Sequence, residues 1–243
     1  PAALNRLPDL ERGLTRILHG TATPAEFVQA QHALGRVHAA LGPLVGAEGG
    51  VEGDVVRAPL LRRLVAAAAA PEVHKVSAEM LACLDAKAAA EGDKLRLFKC
   101  QDRFPEVFQC AAKVVAAEEA LKEELPNLRK KLGLPRLEYS TIAGIEYLIE
   151  VDAAKKVPDN WVKVNSTKKS NRFHPPEVGK LLAALALARE QHVMACGAAW
   201  RTFLADCAQR YGSFRAAVQA IATLDCLASL ALLASRAGYT RPQ

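Results

Sequence analysis

The chain is 243 residues long, 51% apolar, 24% charged and only 5% aromatic, and its Lys and Arg outnumber its Asp and Glu by six. That length can bury a real core in one large domain or two smaller ones, and the apolar share excludes a wholly disordered chain. The apolar mass is mostly Ala, Leu and Val, which argues against an aromatic-rich β-sandwich and for helices; a net +6 points to an anionic partner only if it is concentrated.

In chain order, Pro8-Asp9-Leu10-Glu11-Arg12 leads into Leu14, Ile17 and Leu18, an apolar stripe at helical steps. Thr23-Pro24-Ala25-Glu26 has the form of a capping box, with Thr23 as N-cap, Pro24 at the first helical position and Glu26 reaching back. The helix it opens carries Phe27, Val28, Ala30, Leu34 and Val37 and fades before Gly42-Pro43. Five glycines between Gly42 and Gly53 predict a flexible surface loop. Helices are predicted next over Leu60–Ala70 and Val73–Ala90.

Two longer segments follow. Pro105–Leu132 carries Val107, Val114, Leu121, Leu125, Leu128 and Leu132, and Pro126 inside it predicts a kink or a break. Glu177–Arg210 carries Val178, Leu182, Leu185, Val193, Cys196, Trp200, Phe203 and Cys207, with Tyr211 just beyond. A helix of about 34 residues extends roughly 50 Å, wider than a compact domain of this size, so the pair is expected to form antiparallel arms around an insert. In the insert, Glu138–Val151 is β-branched and aromatic and Trp161–Val164 alternates strictly; both predict strands, separated by a turn-rich loop from Asp152 to Asn160. Polar residues from Ser166 to His174 lead into Pro175-Pro176-Glu177, and a last helix is predicted over Phe214–Ala237. The expected fold class is mainly α: a helical core with two long antiparallel arms carrying a small antiparallel β-rich element at the tip.

Chemical templates are sparse. The six cysteines (83, 100, 110, 196, 207 and 226) contain no C-x-x-C and fall mostly in helical patterns, which predicts reduced thiols in an intracellular protein. No H-E-x-x-H, G-x-S-x-G or G-x-x-x-x-G-K-[ST] occurs. His192 and Cys196 lie four apart on a helix, but two ligands do not make a metal site. No catalytic residue is assigned. The chain opens on Pro1 without a charged-then-apolar leader, which predicts a fragment with no signal peptide, and runs free of charge and strong polarity, such as Leu64–Pro71, are too short to span a membrane.

Charge is concentrated. Between Lys155 and His174, six cations (Lys155, Lys156, Lys163, Lys168, Lys169, Arg172) face Asp159 alone, a net +5 in twenty residues. Ser166, Thr167, Ser170 and Asn171 are interleaved with them, short side chains of the kind that meet phosphate oxygens, while few aromatics accompany them for base stacking. Two further readings stand beside a backbone-gripping element: a helical coiled-coil interaction module with an incidental basic tip, and a helical enzyme motivated only by His192 and Cys196.

Three stretches resemble the core and clamp domains of MutS-type DNA mismatch repair proteins. They are Leu7-Pro-Asp-Leu-Glu-Arg-Gly-Leu-Thr-Arg-Ile17; the strand region with Gly144-Ile-Glu-Tyr-Leu-Ile-Glu-Val151 and Trp161 through Val178; and Leu224-Asp-Cys-Leu-Ala-Ser-Leu-Ala231 with Tyr239-Thr-Arg-Pro242. The wording around Trp161–Pro175 is most similar to the eukaryotic MutS homologue 3 branch, associated with insertion–deletion loops. The resemblance implies a helical core over 1–134 with its first arm from about 105, a clamp over 135–174, and a second arm returning to the core over 175–243. It implies phosphate contacts by Lys155, Lys156, Lys163, Ser166, Thr167, Lys168, Lys169, Ser170, Asn171 and Arg172. It further implies duplex DNA carrying mismatches or loops as partner, a nuclear location without membrane attachment, and a heterodimer with a MutS homologue 2-type subunit. No cofactor is expected in this fragment; ATP and Mg²⁺ belong to the family's separate ATPase domain, whose state the long helices relay. Pro126 and the glycine-rich loop are not features of the family.

Overall fold

A computed structural model describes residues 4, 6–45, 51 and 56–240. The chain divides into two compact units, Pro1–Arg103 with Gly197–Gln243, and Phe104–Cys196.

In the first unit, α1 (Leu10–Leu18) is capped by the Asp9 carboxylate, which accepts from Arg12 N at 2.9 Å, and buries Leu10, Leu14 and Ile17. Leu18, expected on the buried stripe, is 40% exposed. Helix α2 (Pro24–Leu41) starts at the capping box: Thr23 Oγ1 accepts from Glu26 N, and the Glu26 carboxylate accepts from Thr23 N at 2.9 Å and pairs with Arg16. A single 3₁₀ turn over Gly42–Leu44 follows, and Val45 bridges Val51; the rest of the predicted glycine-rich loop, 46–50 and 52–55, lies outside the described residues.

Helix α3 spans Pro59–Ala68, and the single helix predicted over Val73–Ala90 is two, α4 (Pro71–Ala82) and α5 (Ala86–Glu91). The break has a local cause. The Asp85 carboxylate caps α5 by accepting from Lys87 N and Ala88 N, while Leu84 leaves the helical path to bridge Phe98. An aromatic cluster fills the core of this unit: Phe203 stacks on Trp200 (5.4 Å between centroids) and meets Phe27 edge-on at 5.1 Å and Phe98 at 6.1 Å. The Trp200 indole N–H donates to Ala22 O at 3.0 Å, so the buried ring leaves no unmet donor.

Helix α8 (Tyr211–Ala234) is long and apolar enough by length and composition to cross a membrane, a property that counting uncharged residues overlooked because Arg215 and Asp225 interrupt the run. Its first half is used differently: Phe214, Ala217, Val218, Ala220 and Ile221 are buried, and the helix packs on α1 and α3. Its second half is exposed, including Leu230 and Leu232.

The second unit is built from α6 (Pro105–Leu132), a four-stranded antiparallel sheet and the first part of α7 (Pro176–Ala208); the boundary between units falls inside α7. Helix α6 has the predicted bounds. It continues through Pro126 without the expected break. Proline forfeits one i→i−4 bond, but Pro126 is on the exposed face, and Leu121 on one side and Leu128 and Leu132 on the other are buried and hold the helix together. On α7, Val178, Leu185, Cys196, Trp200, Phe203 and Cys207 are buried as the stripe predicted, whereas Val193 is 57% exposed.

Strands β1 (Tyr139–Ile142), β2 (Ile145–Asp152), β3 (Val162–Ser166) and β4 (Ser170–His174) are ordered β1-β2-β4-β3. The single strand predicted over 138–151 is therefore a hairpin. Ala143 and Gly144 take φ +53° and +80°, the two consecutive positive values that a type I′ turn requires. The polar segment Ser166–His174, predicted as an exit from the sheet, holds the inner strand β4. The core of this unit joins Ile149, Val151, Trp161 and Phe173 from the sheet region to Leu121, Leu128 and Leu132 of α6 and Val178 and Leu185 of α7.

Phe203→Ala removes the ring at the centre of the aromatic cluster and is expected to cost about 3–5 kcal/mol. Leu187→Ala on an exposed face of α7 (56% exposed) is expected to change stability by less than about 0.5 kcal/mol. Urea unfolding midpoints of the two variants check the contrast.

Candidate nucleic-acid interface

Hydrogen bonds and ion pairs tie the helices and the sheet of this unit together. The Tyr139 hydroxyl donates to Leu121 O at 2.8 Å, and burial pushes its pKa up to about 12. Arg129 Nε donates to Leu137 O at 2.8 Å, and Lys131 pairs with Glu177 at 3.1 Å. The Arg189 guanidinium joins Glu146 of β2 (2.9 Å) to Glu118 of α6 (3.1 Å).

The basic segment is carried by the loop after β2, by β3, by the β3–β4 turn and by β4. The loop and the turn are neighbours: Ala153 N donates to Lys169 O at 3.0 Å, and Asp152 lies opposite Ser170 in the ladder. This brings the loop bearing Lys155 and Lys156 beside the turn bearing Lys168 and Lys169. Lys163 stands apart from them on edge strand β3, opposite Phe173. Lys156, Lys163, Ser166, Lys168 and Lys169 are exposed and Lys155 half-buried. Among the described residues, none of the five ammonium groups is in an ion pair.

The other expected contact residues are engaged differently. Thr167 organises the turn, its Oγ1 accepting from Lys169 N (3.3 Å) and Ser170 N (3.0 Å) while its own N–H donates to Ser170 O at 2.7 Å. The Ser170 hydroxyl donates to the Glu150 carboxylate. Arg172, directly opposite Glu150 in the β2–β4 ladder, donates to both Glu150 oxygens (3.1 and 3.4 Å) and to Asn165 Oδ1 (3.1 Å), and its side chain is only 15% exposed. Arg172 is thus engaged within the sheet, unlike the lysines of the same segment. Asn171 is half-buried in β4 opposite Val151.

Glu150 is the residue that sequence reasoning missed. It stands 22 positions before Arg172, and only the ladder register reveals the pairing. Hydrogen bonds from Ser170 and Arg172 hold its carboxyl below the ordinary carboxylate range. His192 and Cys196 on α7 have no third partner to make a metal site: among the described residues no group of three or more His, Cys, Asp or Glu side chains could hold an ion.

Because the folded pKa of Glu150 lies below its unfolded value, the carboxylate contributes stability above the unfolded pKa, and this is lost as pH falls through the folded one. Glu150→Gln is expected to lower stability at pH 7 and to flatten its decline between about pH 5 and 3. Urea titrations of both proteins across that window provide the check.

Comparison with known proteins places these observations. The family model described as MutS domain III matches residues 2–231. The chain is 40% identical over 246 residues to the DNA mismatch repair protein MSH3 of Arabidopsis thaliana, covering 99% of this chain and 23% of that protein. It is 36% identical to Msh3 of Mus musculus and 34% identical to Msh3 of Homo sapiens, each over 98% of this chain and 21% of the relative. The chain thus spans less than a quarter of the length of the curated relatives it matches.

Proposed function

Since the chain belongs to the MutS family, as a domain III similar to that of MSH3, we propose that it is the lever and clamp segment of a mismatch repair protein and grips duplex DNA through the phosphate backbone. The observation that carries this reading is the group of unpaired ammonium ions of Lys155, Lys156, Lys168 and Lys169, gathered where the post-β2 loop meets the β3–β4 turn, with Lys163 on the adjoining edge strand. Exposed ammonium ions on flexible stems suit a phosphate backbone, whereas reading bases would call for side chains shaped to groove edges or aromatic platforms. In this reading Arg172, Ser170 and Thr167 give the hairpin its shape, and the lysines, with Ser166, provide the contacts.

Residues 135–174 then act as the clamp, and α6 and α7, which flank them in sequence, act as the arms. In the parent protein the arms would relay the state of a separate ATPase domain that binds ATP and Mg²⁺, within a heterodimer formed with a MutS homologue 2-type subunit in the nucleus. This chain contributes no catalytic group to that ATPase. Choice among mismatches and insertion–deletion loops would rest with other domains, because backbone contacts carry no sequence information.

Duplex binding should be weak and strongly salt-dependent, with log K falling by about 0.9 for each phosphate neutralised per unit of log salt concentration. The triple substitution Lys163→Ala, Lys168→Ala, Lys169→Ala is expected to lower that slope by up to about three times this amount. Arg172→Gln is expected to leave the slope nearly unchanged. Fluorescence anisotropy with a labelled duplex across a salt series measures both. An unchanged slope in the triple variant overturns the proposal and leaves the protein-interaction reading in its place.

A further inference from the structure

The break between α4 and α5 brings two cysteines of the first unit together. Cys83 caps the C-terminus of α4 and is 8% exposed. The following residue, Leu84, pairs with Phe98, and the pairing is held by Asp85 N donating to Leu97 O at 2.7 Å and Lys99 N donating to Cys83 O at 2.9 Å. Cys100, half-buried, follows Lys99 directly in the chain, and its thiol is in hydrogen-bond contact with Cys83. The Arg103 guanidinium completes the arrangement. Its Nη1 donates to Cys83 Sγ at 3.8 Å, while its Nη2 is fixed on Asp206 Oδ2 at 2.7 Å and the group lies 5.3 Å from the Phe203 ring centroid.

We propose that Cys83 and Cys100 are a redox-responsive dithiol that closes reversibly to a disulfide when the oxidant is hydrogen peroxide or another small hydroperoxide. The roles of the two sulphurs differ. Cys83 is assigned as the nucleophile because its sulphur is the one that the Arg103 guanidinium contacts, at 3.8 Å. The thiol of Cys100 is pushed up by its hydrogen bond with Cys83 and by burial, and Cys100 is assigned the resolving role. Cys83 attacks a peroxide oxygen: an S–O bond forms, the O–O bond breaks, and the departing hydroxide takes up a proton to leave as water. Cys100 then attacks the sulfenyl sulphur: the S–S bond forms, the S–O bond breaks, and the Cys100 proton leaves with the hydroxide as a second water. Two thiols have lost two electrons and one peroxide has gained them. The bond ties segment 98–103, the approach to α6, to the α4–α5 junction.

The full chain, reduced and freed of reductant, is treated with increasing hydrogen peroxide, blocked with iodoacetamide, digested and analysed by mass spectrometry. A peptide joined through Cys83 and Cys100 is expected, lighter by two hydrogens than its parts and released by dithiothreitol, while exposed Cys226 remains alkylated at low oxidant. Cys100→Ser leaves the nucleophile without its resolving partner, so dimedone should label Cys83 as sulfenic acid in that variant and not in the parent chain. Arg103→Gln is expected to slow cross-linking about tenfold. Oxidation of Cys226 with Cys83 and Cys100 both still alkylated overturns the proposal, as does a Cys100→Ser chain that retains its circular dichroism spectrum yet takes no dimedone at Cys83.

Discussion

A sheet of four short strands has too little of its own surface to bury, and the second unit depends on how that deficit is met. Ile149 and Phe173 face each other across β2 and β4, Val151 and Trp161 extend the patch, and Leu121, Leu128, Val178 and Leu185 close over it. The register follows from this burial, because a slip of one residue would turn Ile149 and Val151 to the other face. Once β2 and β4 are locked, Glu150 and Arg172 have no choice but to meet. The apolar face thus decides which basic residue is engaged within the sheet and which ones remain available at its end.

That division shapes the chemistry of the tip. Arg172 forms several directed bonds from a rigid fork, which suits the task of fixing two strands and a side-chain amide at once. Lysine is a compact charge on a flexible stem, suited to following a phosphate backbone whose position relative to the protein varies. The turn between β3 and β4 needs no lysine for its geometry, since the Thr167 and Ser170 side chains and backbone satisfy one another. The Lys168 and Lys169 side chains take no part in that geometry and stand exposed.

How legible each part was in the sequence follows from the range of the forces involved. The α2 start was readable because Thr23, Pro24 and Glu26 act within one turn, and α6 was readable because Pro105 opens it and Gly133, at φ +63°, closes it. The β1–β2 turn was missed because alanine is not the usual first residue of a turn that needs two positive φ values. Strand β4 was missed because its residues are polar: Phe173 is the one large apolar residue in Ser170–His174, and the strand is held by a partner far away in sequence. The same distance hid Glu150 and its pairing with Arg172. The concentration of charge was legible, whereas its sorting into engaged and available cations required the fold.

Strand order carries a last consequence. Returning β4 between β2 and β3 leaves β3 at the margin of the sheet, with one side of its backbone free of a neighbouring strand and Val162 63% exposed. A bare margin of that kind is a template on which a second chain can add a strand, the first step of edge-to-edge aggregation. Lys163 lies on this margin, and a register irregularity between Lys163 and Asn165 disturbs the flat ladder that an incoming strand would need. A charge on an edge strand is also the kind of feature that discourages edge-to-edge pairing, so one ammonium ion suits both an anionic polymer outside the sheet and the separation of copies of the protein.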